Sequence, residues 1–402
     1  MNEEVVIVSA ARTPFGKFGG SLKDFNPVEL GAIVMREVLQ RVAYEGRVNE
    51  IFWGVGDTVS FQDVYTPVIA RQTLLKAGLA PETPSCSLDK ACVSATSAIR
   101  LGVQAILAEE AEVVIAGGVT TFSQIPFLIR NIRFNGQRMG PLAMEDPLFE
   151  LGYKDFAPVA FDAGNLALRH GISRQEQDEW AVRSHLYYGA AHVAGKFKEE
   201  MLSLTIPQKK AEEIRLDIDE QYRADISIEK LAKLSPIYGS PTCTAGNAPG
   251  LNDGATAVLL MSRAKAEAEG FTILASIETT VSIALRPDLL AEAPAVAIQA
   301  ALQKTGLKLD DMNLIEINEA FAAVTLVSSK MLANGDSGLL PRIRKRLNVN
   351  GGAIAIGHPN TASGARLVMT MLYELQRKGG GYGIAAICGG LAQGDAIIIK
   401  VD

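Results

Sequence analysis

The apolar positions of this chain fall into two periods that alternate along its length. Val5-Val6-Ile7-Val8 is apolar at every position, the pattern of a strand covered on both faces. Val113-Val114-Ile115-Ala116 and Ala255-Thr256-Ala257-Val258-Leu259-Leu260-Met261 read the same way, and Ile51-Phe52-Trp53 predicts a further strand. Between these runs the spacing lengthens to that of helices. Leu30, Ile33, Val34, Val38 and Val42 share one face of a helix opened by Asn26, Pro27 and Glu29, a capping box with proline in the first turn. Another helix is expected over 67–77, stopped by Gly78, and a third from Val93 to about Ala108. Strands alternating with helices predict a mainly parallel sheet with both faces covered.

From about Thr121 to Gly250 the periodicity weakens, and proline, glycine and charge are scattered through the chain. Ser173 and Glu176 form a second capping box, opening a helix through Trp180 to Tyr188. Lys209 to Glu220 reads as a charged, solvated stretch. The alternation then resumes with a strand over 273–277 and a helix Pro294–Lys304 ended by Gly306. Strand Leu314–Ile317, helix Phe321–Leu332, a helix over 362–377 and strand Ile384–Cys388 follow. The expected organisation is an N-terminal α/β half over 1–120 completed by 251–270, an inserted loop domain over 121–250, and a C-terminal half over 271–402.

The second half echoes the first. Ser97-Ala98-Ile99-Arg100 is similar to Ser363-Gly364-Ala365-Arg366, and Cys92 and His358 stand equally far before the two arginines. Downstream, Ala116-Gly117-Gly118 matches Cys388-Gly389-Gly390. Two such units about a pseudo-twofold axis would bring Cys92 and His358 together from equivalent helix starts.

Composition narrows the class. A chain of 402 residues, 48% hydrophobic and 21% charged, is too long for one core and has the balance of a soluble globular enzyme. A formal net charge of -6 gives no reason to expect nucleic acid, and Arg342-Ile343-Arg344-Lys345-Arg346 reads as a solvated face. No uncharged apolar run reaches the ~18 residues of a membrane span, and Met1-Asn2-Glu3-Glu4 lacks the pattern of a signal peptide. Four cysteines are too sparse for a disulfide framework, so a reducing, cytoplasmic setting is expected.

The candidate chemistry sits where elements begin and end. Cys92 lies at a strand-to-helix junction, where free N–H groups favour a thiolate, with small neighbours Ala91, Ser94 and Ala95. The alternative is a buried structural thiol. His170, His185 and His192 have no metal-ligand spacing and read as surface or packing residues. His358 is held in a tight turn by Gly357 and Pro359 just before a helix, although a plain turn histidine would look alike. Cys388 ends an apolar strand ahead of two glycines whose N–H groups suit an oxyanion, and Asn318-Glu319 ends another strand. Two thiols, an imidazole and an amide so placed form a coherent set for thioester chemistry.

With these residues in view the chain resembles the thiolases from end to end. The matching motifs are Cys92-Val93-Ser94; Thr244-Ala245-Gly246-Asn247 with Asn252-Asp253-Gly254-Ala255; Asn318-Glu319-Ala320-Phe321; Asn350-Gly351-Gly352 with Gly357-His358-Pro359; and Cys388-Gly389-Gly390. The resemblance implies duplicated α/β units in a five-layered α-β-α-β-α arrangement with an inserted loop domain. It also implies CoA-dependent cleavage of 3-oxoacyl-CoA, or condensation of two acetyl-CoA units, with CoA as substrate and no tightly bound cofactor or metal. Cys92 would carry the acyl group, His358 would take its proton, and Asn318 would position a water in one oxyanion hole. Cys388 would be the acid/base at the acetyl α-carbon, and the N–H groups of Cys92 and Gly390 would form the second hole. Arg223, Ala245, Pro249 and Phe321 would face CoA or substrate, in a homodimer or homotetramer. The chain departs from the family pattern at Pro249, at Val159–Asn165 and at Leu391-Ala392, which stands where a further glycine pair is common. A ketoacyl synthase would need a second catalytic histidine, and a non-catalytic acyl-CoA-binding scaffold is the rival from another class.

Overall fold

A computed structural model describes residues 4–56, 67–129, 132–149, 153, 155–207 and 213–402. Nine strands build the main sheet: β1 Val5–Arg12, β2 Glu50–Gly54, β3 Ser85–Leu88, β4 Val113–Thr121, β5 Asn252–Ser262, β6 Ala275–Ala284, β7 Met312–Ile317, β8 Gly381–Gly389 and β9 Gln393–Val401. Their order is β7-β8-β9-β6-β1-β5-β4-β2-β3, and Gly16–Lys17 adds a short pairing to β5. The principal helices are α1 Pro27–Gln40, α2 Ile69–Ala77, α3 Ser94–Leu107, α4 Val159–Arg169, α5 Arg174–Val193, α6 Ala293–Thr305, α7 Ala322–Ala333, α8 Leu339–Arg346 and α9 Ser363–Arg377.

The strand order contains a repeat. β3-β2-β4-β5-β1 recurs as the Leu347 segment-β7-β8-β9-β6, with the same parallel and antiparallel senses, and the two runs meet at Val6↔Ser276 and Ile7↔Ala275. Alternate side chains of each strand enter different cores, which is why these strands are apolar throughout. Ile7, Val258, Leu260, Ala385 and Ile387 face a central core with α3 and α9, while Val6, Val8, Leu259 and Met261 face an outer core with α1 and α2. Ile384, Ala386 and Ile398 face the opposite outer core with α6 and α7. The result is five layers, with α3 and α9 sandwiched between the two half-sheets. At their crossing, a methyl group added to Gly364 would lie 2.7 Å from Thr96 Cγ2.

Both capping boxes form, Asn26 with Glu29 and Ser173 with Glu176. Three expectations need correction. The sheet is mixed: among the described strands only β2–β3, β2–β4 and β7–β8 run parallel. β5, which follows β4 only after the middle region, and β9, which comes directly after the turn that follows β8, both pair antiparallel with the preceding strand, so helix-strand alternation alone overstates the parallel content. β6 runs over Ala275–Ala284 rather than 273–277, because Glu278, Thr279, Thr280 and Ser282 interrupt the apolar run with polar residues, although Thr279 and Thr280 are buried. Nor is the stretch to Glu220 uniformly solvated. Leu216 is buried, and Asp219, also buried, accepts from Arg12 Nη1 at 2.7 Å while Glu200 accepts from Arg12 Nε at 2.7 Å. These contacts tie the middle region to β1. Residues 209–212 of that stretch, and Met1–Glu3, lie outside the described residues. The basic run of α8 is structural: Ile343 is buried, Arg342 pairs with Asp310 and Arg346 donates to the Met312 carbonyl.

Candidate active site

Cys92 sits in a single 3₁₀ turn, Ala91–Val93, between β3 and α3. Ala91 has φ of +50°, a left-handed conformation that costs an alanine on the order of 1–3 kcal/mol and recurs at functional sites. The turn is held by Asp89, which accepts the Ala91 N–H at 2.9 Å, and by Ser94 Oγ, which accepts from Lys90 N–H at 2.8 Å and donates to the Ala91 carbonyl at 2.7 Å. Asp395 on β9 anchors it from the other half, accepting from Lys90 Nζ, Thr96 Oγ1 and Ser97 Oγ.

His358 enters from the opposite side. Gly357 precedes it at φ +109°, a conformation open to glycine, and Asn252 Oδ1 accepts the His358 N–H at 2.9 Å. The following turn docks on the end of β4, where Thr361 Oγ1 donates to the Val119 carbonyl at 2.7 Å. His358 Nε2 then lies 3.2 Å from Cys92 Sγ, and Nδ1 lies 2.6 Å from Ser363 Oγ. Burial, helped by the charge of Arg366, pushes His358 down to about 3, so the imidazole is neutral at physiological pH. In the tautomer whose Nδ1–H donates to Ser363 Oγ, Nε2 is the acceptor facing the thiol.

Cys388 is the penultimate residue of β8 and is buried, which pushes its thiol up to about 12. A methyl group on Gly389 would lie 2.9 Å from Val93, so the loops carrying the two thiols are in direct contact. One on Gly390 would lie 1.8 Å from Tyr153 Oη and 3.2 Å from Ala91 Cβ. Leu391 and Ala392 follow, both left-handed at φ +57° and +59° without being glycine.

Asn318 and Glu319 point to different tasks. Asn318 Oδ1 accepts from Arg366 at 3.4 Å, which turns Nδ2 toward the His358 ring at 3.4–3.5 Å. Glu319 is wholly buried and accepts from Trp180 Nε1, Ser184 Oγ, Asn348 Nδ2 and the Ile354 N–H. It thereby fixes the segment that leads into His358.

A cavity of about 730 Å³ runs between these loops and the middle region. Its wall includes Cys92, His358, Cys388 and Gly390, together with Arg223, Ala245, Pro249 and Phe321. Asn318 does not reach the wall and stands behind the imidazole. The Ala245 loop is held by Asn247, which accepts the Thr244 N–H and donates to Asp178. The Arg223 backbone N–H donates to His185 Nδ1, and burial pushes that histidine down to about 4. Sequence reasoning had not singled out Ser363 or Asn252 as partners of His358, although both stand in quoted motifs. It missed Tyr153, Leu290, Gln221 and Tyr222 on the wall altogether. Tyr153 lies where periodicity is weakest, and no local pattern announces its contact with Gly390.

Comparison with known proteins agrees with this geometry. Residues 5–264 match the thiolase N-terminal domain and residues 271–401 the thiolase C-terminal domain. The chain belongs to the thiolase family. An acetyl-CoA acetyltransferase of Pseudomonas aeruginosa is 40% identical, with all of both chains covered. The structure of human mitochondrial 3-ketoacyl-CoA thiolase superposes with a TM-score of 0.92 at 36% identity, covering 100% of this chain and 99% of that one. A structure of the same human thiolase in complex with CoA gives 0.91 at 36% identity, covering 100% and 98%. The departures from the thiolase pattern at Pro249 and Val159 fall on the cavity wall, and Leu391-Ala392 directly follows Gly390.

Proposed function

We propose that this thiolase cleaves 3-oxoacyl-CoA with CoA, and runs the reverse condensation of two acetyl-CoA units, through an acyl group on Cys92. The observation that carries the reading is the 3.2 Å approach of a neutral His358 to Cys92 Sγ, with Cys388 on the same cavity wall. His358 Nε2 takes the Cys92 proton and the thiolate attacks the C3 carbonyl, whose oxygen is held by the N–H groups of Cys92 and Gly390. The C2–C3 bond then breaks. Its electron pair leaves on C2 as the acetyl-CoA enolate, and Cys388, held protonated by burial, supplies the proton. The CoA thiol gives its proton to the Cys388 thiolate and attacks acyl-Cys92, while His358 returns a proton to the departing sulfur. Asn318 positions a water beside His358 for the thioester oxygen. No step needs a further cofactor.

Arg223, Ala245, Pro249 and Phe321 line the path that CoA takes in this reading, and the segment 121–250 serves as its loop domain. Arg223 supplies a local cation in a chain of net charge -6. A non-catalytic scaffold would have no use for two thiols and a neutral base on one wall. The test is CoA-dependent loss of acetoacetyl-CoA absorbance; a purified enzyme that binds CoA but turns over no 3-oxoacyl-CoA would overturn the proposal.

His358→Ala is expected to slow alkylation of Cys92 by iodoacetamide about tenfold near neutral pH. Because His358 is pushed down to about 3, the wild-type rate should show no step near the ordinary imidazole value of about 6.5. Equal rates in the two proteins across pH 6 to 9 would count against the pairing.

We place the enzyme in the cytoplasm, where its four thiols stay free of disulfides, as a homo-oligomer with exposed Phe134, Met139, Met144 and Phe149 supplying apolar surface. Light scattering that gives only the mass of one chain would remove the second of these statements.

A further inference from the structure

Relatives with this fold include acetyl-CoA acetyltransferases and 3-ketoacyl-CoA thiolases, so family membership leaves the length of the acyl tail open. We infer that Tyr153 sets it: its phenol fills the end of the cavity beside Gly390 and holds the enzyme to short acyl groups. The inference rests on the acyl-Cys92 reading above.

A methyl group on the Gly390 α-carbon would lie 1.8 Å from Tyr153 Oη and 2.9 Å from Cζ, so the phenol tip already touches that α-carbon. The same added methyl would lie 3.2 Å from Ala91 Cβ, which places the ring tip at the seam between the Cys92 loop and the Cys388 loop. In the acyl-enzyme, the carbonyl oxygen is held by the N–H groups of Cys92 and Gly390. The first tail carbons therefore leave the carbonyl beside this seam. Val159, Leu290 and Phe321 line the cavity with apolar surface suited to a hydrocarbon tail, and Tyr153 lines the same cavity with its phenol tip against Gly390. Each methylene accommodated or refused in an apolar pocket changes kcat/KM by roughly 10–200-fold, so one ring is enough to decide chain length.

The test compares kcat/KM for 3-oxodecanoyl-CoA with that for acetoacetyl-CoA in the wild type and in Tyr153→Phe, Tyr153→Val and Tyr153→Ala. The wild type should favour acetoacetyl-CoA. The ratio should rise at least about tenfold in Tyr153→Ala and Tyr153→Val, and stay within about threefold in Tyr153→Phe, which keeps the ring. A ratio unmoved in Tyr153→Val or Tyr153→Ala overturns the inference, as does a wild type that takes the long substrate as readily as the short. Those results leave the thiolase reading intact, whereas a wild type inactive on every 3-oxoacyl-CoA overturns both.

Discussion

Thiolysis of acetoacetyl-CoA should fall by about 10⁴-fold or more in Cys92→Ser, and incubation with acetyl-CoA should leave no acetyl group on that variant. The loss is chemical rather than structural. Serine is nearly the shape of cysteine, and the turn that carries residue 92 is held by Asp89, Ser94, Lys90 and Asp395 rather than by the sulfur. What changes is the ease of ionisation. A neutral imidazole pushed down to about 3 is a weak base, and it can draw a proton from a thiol near a helix start far more readily than from an alcohol. Wild-type protein treated with acetyl-CoA should gain one acetyl group on the peptide that contains Cys92. An acetyl found on Cys388 alone would assign the nucleophile to the other thiol.

Much of this architecture is legible in local sequence because it has local causes. β1, β4, β5 and β8 are covered on both faces, so their runs are apolar at nearly every position, and Asn26 and Ser173 announce their helices through capping boxes that both form. Cys92, His358 and Cys388 stand out for a related reason: each is flanked by glycine, proline or small residues at the end of an element, where side chains are freed from ladder packing. The repeat around Arg100 and Arg366 predicts that Cys92 and His358 meet, and their 3.2 Å separation agrees. The rest depends on partners distant in sequence. Nothing near Asp219 reveals that Arg12 will bury it, and nothing near Glu319 reveals the donors from Trp180, Ser184, Asn348 and Ile354 that make it part of the frame. Tyr153 is a loop residue until the Gly390 turn is laid against it. The sense of β5 and β9 is equally silent, because an apolar strand reads the same in either direction.

Cys388→Ala should separate the two halves of the reaction. In the variant Cys92 keeps His358 and its N–H donors, so acetyl-CoA should still acetylate Cys92, with CoA departing as the thiolate and taking its proton from water in place of Cys388. Overall turnover should nevertheless fall by about 10²–10⁴-fold, the usual range for a lost general acid–base group. Burial pushes the Cys388 thiol up to about 12, so near neutral pH it rests protonated, the form that the proposed mechanism needs for giving a proton to the enolate when a 3-oxoacyl-CoA is cleaved. In the reverse direction the proposed mechanism has the same thiol give that proton to the CoA sulfur, which departs as the free thiol, and the Cys388 thiolate so formed then draws a proton from the acetyl methyl. Once Cys92 is acylated its sulfur is occupied, and His358, with Nδ1 turned to Ser363, faces that sulfur rather than the α-carbon. Among the described residues Cys92 and Cys388 are the thiols on the cavity wall, so alanine at 388 leaves neither to exchange protons at the methyl group. Deuterium incorporation into acetyl-CoA in heavy water should disappear in Cys388→Ala while acetylation of Cys92, followed by intact mass on the same preparation, persists. Exchange at the wild-type rate would show that another group serves the α-carbon, and loss of acetylation as well would show that the two thiols do not divide the work in this way.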